Sequence, residues 1–460
     1  MRIDLAGFGP GSAQKTTQQV MTALGEADLI ITSSRLADAL WGGADTDSGS
    51  LIDASVPYWN VMQDEDRFGL SSGLRILIET DSGKILRILE NEPFERAVCL
   101  FGGDTSFYSG AVPLLALIRK SRALEEKKAR VRVLPGVSSL SETCARLGVP
   151  FSQVEVFSAH GRDVDPVRAV MNGKKSFFLT GGENDPAALC ARLTRAGLGD
   201  LEVTILERLS LGGERIRSMK AKEAAGLKTD PLSVLLVESA PVSEELRRGI
   251  PGIPDESFVR GRVPMTKRLV RVCALSLLNP SKEDLCWDLG AGTGSMSIEL
   301  SARCRRVVSV ERNPEALLLM EENRKKFGAW NMEIVEGVIP QILPELPAPD
   351  RIFVGGGGGW IRRILGQLKE QHVPVCAPAV TLETLQEARC ALEENGYETQ
   401  VVQVAVTDVI KRGEHHMMDA QNPVFLIAGY PAQRIPEEDM PAAEDRSAAG
   451  QTALWNAEKE

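Results

Sequence analysis

The stretch Leu285-Cys286-Trp287-Asp288-Leu289-Gly290-Ala291-Gly292-Thr293-Gly294 constrains the fold more than any other part of the chain. Five residues of strand character end in three alternating glycines, and a helical run, Ser295–Ala302, follows without a break. Glycine reaches left-handed backbone conformations cheaply and lets a ligand approach the main chain. Strand, glycine loop and helix in this order therefore read as the opening unit of a doubly wound α/β sheet that binds a ligand at its strand ends. A dinucleotide loop needs Gly-x-Gly-x-x-Gly. Counted from Gly290 the last place is Ser295, and counted from Gly292 it is Ser297, so that fingerprint fails from either start.

The next strand, Val307-Val308-Ser309-Val310, ends at Glu311, about twenty residues beyond the loop. An acid there accepts hydrogen bonds from both hydroxyls of a ribose. Asp288 is placed to reach the amino-acid end of a sulfonium nucleoside. The expectation is a class I S-adenosylmethionine site at Asp288, Gly290, Ala291, Gly292, Thr293, Gly294 and Glu311. The loop by itself also reads as a tight turn.

With 460 residues the chain is too long for one ordinary core. Residues 1 to about 240 alternate apolar β-rich runs (Leu29–Thr32, Ala97–Phe101, Val131–Leu134) with helical patterns, an α/β layout expected to hold much parallel sheet. Between Pro241 and Pro264 the pattern breaks into proline, glycine and charge, so 242–262 is expected to be a linker or docking segment, followed by a second α/β domain over 263–431. From 432 to 460 the chain is Ala, Glu, Pro and Ser, too poor in apolar residues to pack, and is expected to be a disordered tail.

Composition removes several function classes. No run approaches the ~18 apolar residues of a membrane span, and no export signal is visible, so a cytoplasmic protein without a membrane partner is expected. The formal charge of −10 has the wrong sign for a protein whose affinity comes from neutralising phosphates, which opposes a nucleic-acid partner and an RNA-methylating role. The eight cysteines are never closer than thirteen positions, so they read as buried free thiols. His415-His416 lacks a third spaced ligand, and no metal is expected.

Two further features lie near the glycine loop. After the fourth strand comes Val354-Gly355-Gly356-Gly357-Gly358-Gly359, where amino-group methyltransferases place an Asn/Asp-Pro-Pro-aromatic clamp. The clamp is missing, which favours carbon over an exocyclic amine as methyl acceptor. Gly355 and Gly356 either let main chain approach a large flat substrate or form a flexible loop. Upstream, Arg260, Arg262, Lys267, Arg268 and Arg271 fall within twelve residues that contain no acid. This segment, with Arg262 and Lys267 as candidate contacts, suits a polyanionic substrate or is a solvated helix face.

The first strand, Ile3–Ala6, ends in Gly7-Phe8-Gly9-Pro10-Gly11. Phe101-Gly102-Gly103-Asp104-Thr105-Ser106 and Leu134-Pro135-Gly136-Val137 follow at later strand ends, and the three loops together resemble the tetrapyrrole (uroporphyrinogen/corrin) methylase family. The resemblance implies a two-lobed class III methyltransferase fold. It implies cofactor contacts at Gly102, Gly103, Asp104, Thr105, Pro135, Gly136, Thr180 and Gly181, and substrate contacts at Gly9 and Pro10. Thr105 stands where many relatives have proline. Ser158-Ala159-His160-Gly161-Arg162 looks like the Ser-x-His-Gly-Arg stretch of the corrin carbon-5 branch, making His160 and Arg162 candidate substrate contacts; a helix-capping turn is the alternative.

The second half resembles the decarboxylating corrin carbon-15 methylases through Gly252-Ile253-Pro254-Asp255-Glu256-Ser257-Phe258, Pro264-Met265-Thr266-Lys267, the glycine loop, Asn313-Pro314-Glu315-Ala316 and Asn422-Pro423-Val424-Phe425. That resemblance implies a Rossmann-like class I fold and adds Thr266, Gly337 and Val338 to the cofactor contacts. Both halves together resemble the fused corrin methyltransferases of vitamin B12 biosynthesis, which act on a small-molecule tetrapyrrole. A homo-oligomer is the expected assembly. No residue is assigned as a catalytic base, and one half acting only as a binding or channelling module is the alternative.

Overall fold

In the computed structural model the residues described are 1–41, 74–161, 164–355, 360–368 and 372–431. The expected tail, Arg162 and Gly356 lie outside them. The chain divides into two compact units, Met1–Pro241 and Val242–Glu460.

The first unit holds two five-stranded sheets. One is built from β1 (Arg2–Gly7), β2 (Leu29–Thr32), β3 (Arg75–Ile78), β4 (Arg96–Phe101) and β5 (Arg130–Leu134), all parallel, in the order β3-β2-β4-β1-β5. Successive side chains of its strands enter opposite cores: Ile3, Leu5, Ile31 and Cys99 on one face, Ala6, Ile30, Val98 and Leu100 on the other. Burial on both faces is what parallel strands require, and it explains their near-continuous apolar sequences. Asp4 interrupts this pattern. It is buried, and Arg132 grips it bidentately at 2.7 and 2.8 Å.

The other sheet comprises β6 (Val154–Ser158), β7 (Lys175–Leu179), β8 (Glu202–Glu207), β9 (Arg215–Lys220) and β10 (Ser233–Val237), ordered β6-β7-β10-β8-β9. Only β6 and β7 are parallel; the remaining pairs are antiparallel. The expectation of parallel sheet therefore fails for this lobe. The seven residues between β8 and β9 are too few for a crossover, so the chain turns back as a hairpin.

The second unit carries a seven-stranded sheet from β11 (Leu285–Leu289), β12 (Arg306–Glu311), β13 (Met332–Glu336), β14 (Arg351–Val354), β15 (Val375–Ala379), β16 (Tyr397–Val404) and β19 (Val424–Pro431). Its order is β13-β12-β11-β14-β15-β19-β16, parallel through β15 and antiparallel at β19. β17 (Thr407–Arg412) and β18 (His415–Ala420) form a separate exposed hairpin. Segment 242–262 is folded within this unit: Ser243 N–H donates to the Phe327 carbonyl at 2.9 Å, and Ile253 and Phe258 are buried.

Among the described residues no helix is long and apolar enough to cross a membrane. All eight cysteines are free; Cys273 and Cys390 are half-buried, the others buried.

Candidate active sites

In the second unit the four neighbouring strands β13, β12, β11 and β14 end at one edge, and their loops are stitched together there. The strand order reverses direction between β11 and β14, the place where open α/β sheets leave a crevice. Gly290, Gly292 and Gly294 all take positive φ (77°, 56° and 76°), a conformation that only glycine adopts without strain. Gly290 and Ala291 N–H both donate to the Val310 carbonyl, Gly337 N–H to the Glu311 carbonyl, and Gly355 N–H to the Leu289 carbonyl. A side chain at Gly355 would stand 2.8 Å from the Gly290 carbonyl oxygen, so glycine there lets two loops meet.

Glu311 already has work to do. Its Oε2 accepts from Gly292 N–H at 2.9 Å, and its Oε1 accepts from Arg312 and Asn313 N–H at 2.8 and 2.9 Å. Asp288 is fully buried; one oxygen accepts from Ser297, whose hydroxyl in turn accepts from Ser309 at 2.8 Å. The other oxygen, Oδ1, has no hydrogen-bond partner among the described residues. Burial pushes the Asp288 carboxyl up to about 7, opposed by Ser297 and assisted by the charge of Glu311. A buried oxygen without a donor, at a strand-end crevice, fits a cationic amino group.

Thr293 is buried, and its hydroxyl is likewise unpartnered. Val338 is exposed. A side chain at Gly292 would be 3.3 Å from the Pro264 carbonyl, which places the segment leading to Thr266 against the loop. Of the basic residues, Arg262 is exposed, with its N–H on Glu315, and Lys267 is half-exposed, 4.0 Å from Asp255. Arg271 corrects the reading of a basic substrate face. It is completely buried, donating to Asp255 and to the Thr266 carbonyl and bonded to Glu299, whose carboxylate also accepts from Gly252 and Ile253 N–H. Its guanidinium stacks on Phe258, 4.8 Å from the ring centre, so it ties segment 252–266 to the unit.

The first unit holds an open cavity of about 890 Å³, lined by strand residues of its second sheet and by loops that follow strands of the first. Gly9, Pro10, Gly102, Gly103, His160 and Thr180 line it; the expected contacts Asp104, Thr105, Pro135, Gly136 and Gly181 are not among the lining residues. Gly7, Gly103 and Gly136 meet main chain to main chain: a side chain at Gly136 would lie 2.3 Å from the Gly103 oxygen and 2.5 Å from that of Gly7. Gly9 and Gly103 exchange hydrogen bonds of 3.1 and 2.7 Å. Asp104 accepts from Gly136 N–H at 3.0 Å and from Ser106 N–H at 2.8 Å. Burial alone would raise its pKa, but these bonds outweigh it and hold the carboxyl below the usual range. Thr105 is buried with its hydroxyl on the Leu134 carbonyl at 3.4 Å, so the departure from proline leaves the loop tied to β5.

Thr180 donates to the Ser233 carbonyl at 2.6 Å, and His160 lies flat against Gly181, where a side chain would be 2.1 Å from its Nδ1. Sequence reasoning missed Arg35, Tyr108 and Arg208, which also line the cavity. Nothing in their local sequence marks them, because lobe pairing brings them together. His415 and His416 sit on the exposed hairpin opposite Arg412 and Lys411. Among the described residues no group of three or more His, Cys, Asp or Glu is placed to hold a metal ion.

Two family models match separate stretches of the chain. The family model described as "Precorrin methyltransferase domain" matches residues 257–429, and that described as "Tetrapyrrole (Corrin/Porphyrin) Methylases" matches residues 2–225. A precorrin-6Y C(5,15)-methyltransferase [decarboxylating] of Sinorhizobium sp is 35% identical over 267 residues, 57% of this chain; the chain spans 62% of that relative's length. A crystal structure of precorrin-6y C5,15-methyltransferase from Geobacter metallireducens GS-15 is 37% identical, covering 39% of this chain and 97% of that one, with a TM-score of 0.37. A probable cobalt-precorrin-6B C(15)-methyltransferase (decarboxylating) of Pyrobaculum calidifontis is 42% identical over 187 residues, 39% of this chain and 96% of the relative. By that last match, the chain belongs to the decarboxylating precorrin methyltransferase family.

Proposed function

We propose that the chain is a two-site S-adenosylmethionine-dependent enzyme of cobalamin biosynthesis that methylates carbons 5 and 15 of precorrin-6B and removes carbon dioxide from the ring C acetate. Residues 263–431 form a Rossmann-like class I methyltransferase responsible for carbon 15 and the decarboxylation. Support comes from the strand order β13-β12-β11-β14-β15-β19-β16 with its antiparallel β19. Residues 1–241 form a class III tetrapyrrole methylase acting at carbon 5, supported by the glycine-walled cavity between an all-parallel lobe and a mixed one. The observation that carries the reading is the presence, in one chain, of two separately built glycine sites, each within a stretch matched by a corrin-methylating family.

Bound S-adenosylmethionine supplies an electrophilic methyl group. The meso carbon of a reduced tetrapyrrole is enamine-like: its electron pair would form the new carbon–carbon bond as the methyl–sulfur bond breaks with its electrons left on sulfur, and the ring then loses a proton. In the decarboxylation the acetate carbon–carbon bond breaks, its electrons enter the ring π-system, and a proton then completes the methyl group left on the ring. The chain's part is alignment and exclusion of water. In the second unit the Asp288 Oδ1 would meet the cofactor's ammonium group, Glu311 its ribose, and Gly290–Gly294, Gly337 and Val338 its remaining edges. Thr266 would close the site from the preceding segment. In the first unit Gly102–Thr105, Pro135-Gly136 and Thr180-Gly181 would hold the cofactor, with Gly9, Pro10 and His160 towards the substrate. In both sites the substrate is a small molecule, and no nucleic acid takes part.

The test follows product masses when the full chain is incubated with S-adenosylmethionine and precorrin-6B. Two methyl gains and one carbon dioxide loss are expected. Gly292→Val should abolish the carbon dioxide loss and one methyl gain, and Gly103→Val only the other methyl gain. A chain that binds cofactor yet leaves the tetrapyrrole unchanged, while methylating RNA, overturns the reading.

A further inference from the structure

Two arginines line the N-terminal cavity without any task in the scheme above. Arg35 lies in the first turn of the helix Ser34–Trp41 that follows β2. A cation there opposes the helix dipole. Its Nη2 stands 2.6 Å from where a side chain on Gly102 would begin, so the guanidinium lies over the Gly102-Gly103 loop. It makes no hydrogen bond or ion pair among the described residues, and burial lowers its pKa with no carboxylate opposing. Arg35 is exposed overall, so its guanidinium is open to an anionic ligand that would supply the missing counter-charge.

Arg208 follows β8 and has φ +52°. For a bulky residue that is a strained backbone, which persists only where surrounding structure holds it, commonly at ligand sites. Its Nε donates to the Gly212 carbonyl at 2.9 Å, and its Nη1 forms an ion pair with Asp230 at 3.6 Å. The preceding acid, Glu207, is spent on Arg217 at 2.9 Å and Arg215 at 3.4 Å. Tyr108 on the same cavity has φ +50°, is 52% exposed, and packs edge-on to Phe107. The cavity thus presents one guanidinium without a carboxylate partner among the described residues, a second whose ion pair at 3.6 Å leaves it room for a closer carboxylate, and an exposed aromatic ring, two of the three held in left-handed backbone.

We propose that Arg35 and Arg208 are paired carboxylate anchors that hold a flat, polycarboxylate macrocycle in the N-terminal cavity, with Tyr108 against its face. This rests on reading the cavity as a tetrapyrrole site, and it names the residues that select for acidic side chains there. Guanidinium suits the role because its planar fork binds carboxylate bidentately.

The test uses the full chain carrying Arg35→Gln, Arg208→Gln or Arg35→Lys. For the carbon-5 step, each glutamine variant should raise the tetrapyrrole KM about tenfold, the loss of one charged hydrogen-bonding group. Its kcat and its Kd for S-adenosylmethionine should stay within about twofold of the parent. Arg35→Lys should recover part of the loss, since it keeps the charge but not the fork. A glutamine variant with unchanged KM and intact cofactor binding overturns the assignment for that arginine. Equal loss of cofactor binding also overturns it, because the arginine would then serve the scaffold. If the parent makes no second methyl gain, the activity reading fails, and a separate measurement decides the inference. In fluorescence titration with a porphyrin octacarboxylate, each glutamine variant should weaken one binding equivalent per chain by about tenfold, and unchanged titrations overturn the proposal.

Discussion

The N-terminal site is walled by main chain, with Gly7, Gly103 and Gly136 from three parallel strand ends in direct contact, whereas the C-terminal loop is fastened by carboxylates. There Glu311 holds Gly292, and Glu299 with Asp255 holds Arg271 and the segment leading to Thr266. Contact between glycines is insensitive to charge but intolerant of a single added carbon. Carboxylate fastening tolerates changes of shape but depends on ionisation and on keeping every partner. One family chemistry therefore rests on two kinds of support, which should fail under different insults.

The largest expected effect tests the charged support. Arg271→Met leaves the buried Glu299 without its cation and Asp255 with only Lys267, and removing one partner of a buried pair costs about 3–5 kcal/mol. Calorimetry of the full chain should show the transition of the second unit falling well below that of the first, and an unmoved transition would refute the idea that charge holds this segment. Next comes proton linkage at Asp288. Its carboxyl is raised by burial to about 7, above the ordinary value of about 3.9, so the folded state holds a proton that the unfolded state has released. Its contribution therefore becomes less favourable as pH rises from about 4 to 7 and is level above that, an effect of a few kcal/mol at most. Asp288→Asn should flatten this part of the stability profile, measured by denaturant unfolding between pH 5 and 8; parallel profiles would show that the carboxyl ionises normally. The remaining prediction falls on the glycine wall. Gly136→Ala puts a carbon 2.3 Å from the Gly103 carbonyl oxygen and 2.5 Å from that of Gly7, main-chain atoms that cannot swing aside, so the strand ends are forced apart at a cost independent of pH. Carbon-5 methylation should be lost while carbon dioxide release continues, and retention of both activities would show that the wall yields.

The C-terminal half was the more legible in sequence. Leu285–Leu289, the alternating glycines and the acid at 311 are local signals, and the structure places strand, loop and helix on them. The first sheet of the other half was readable for the same reason, its strands being continuous apolar runs. The antiparallel second lobe was not, because hairpin β8–β9 has no Asn-Gly or Asp-Gly turn to announce it; Leu209–Gly213 turns the chain with strained Arg208 and Ser210 instead. Arg271 was grouped with exposed arginines because spacing alone does not show which face of a helix meets a buried glutamate. Arg35 and Arg208 are far apart in sequence and share one cavity only after the lobes pair.

The engagement of Glu311 has a consequence for turnover. A carboxylate offers about four acceptor positions, and backbone N–H groups already use three of them. A diol arriving at Glu311 finds one vacant position and must share or displace the others. The loop is thus an internal competitor for its own ligand, limiting how tightly the occupant is held and reclaiming the carboxylate when it leaves. If the site takes in a sulfonium nucleoside and discards its nearly identical spent form, as proposed above, that rivalry favours exchange over retention.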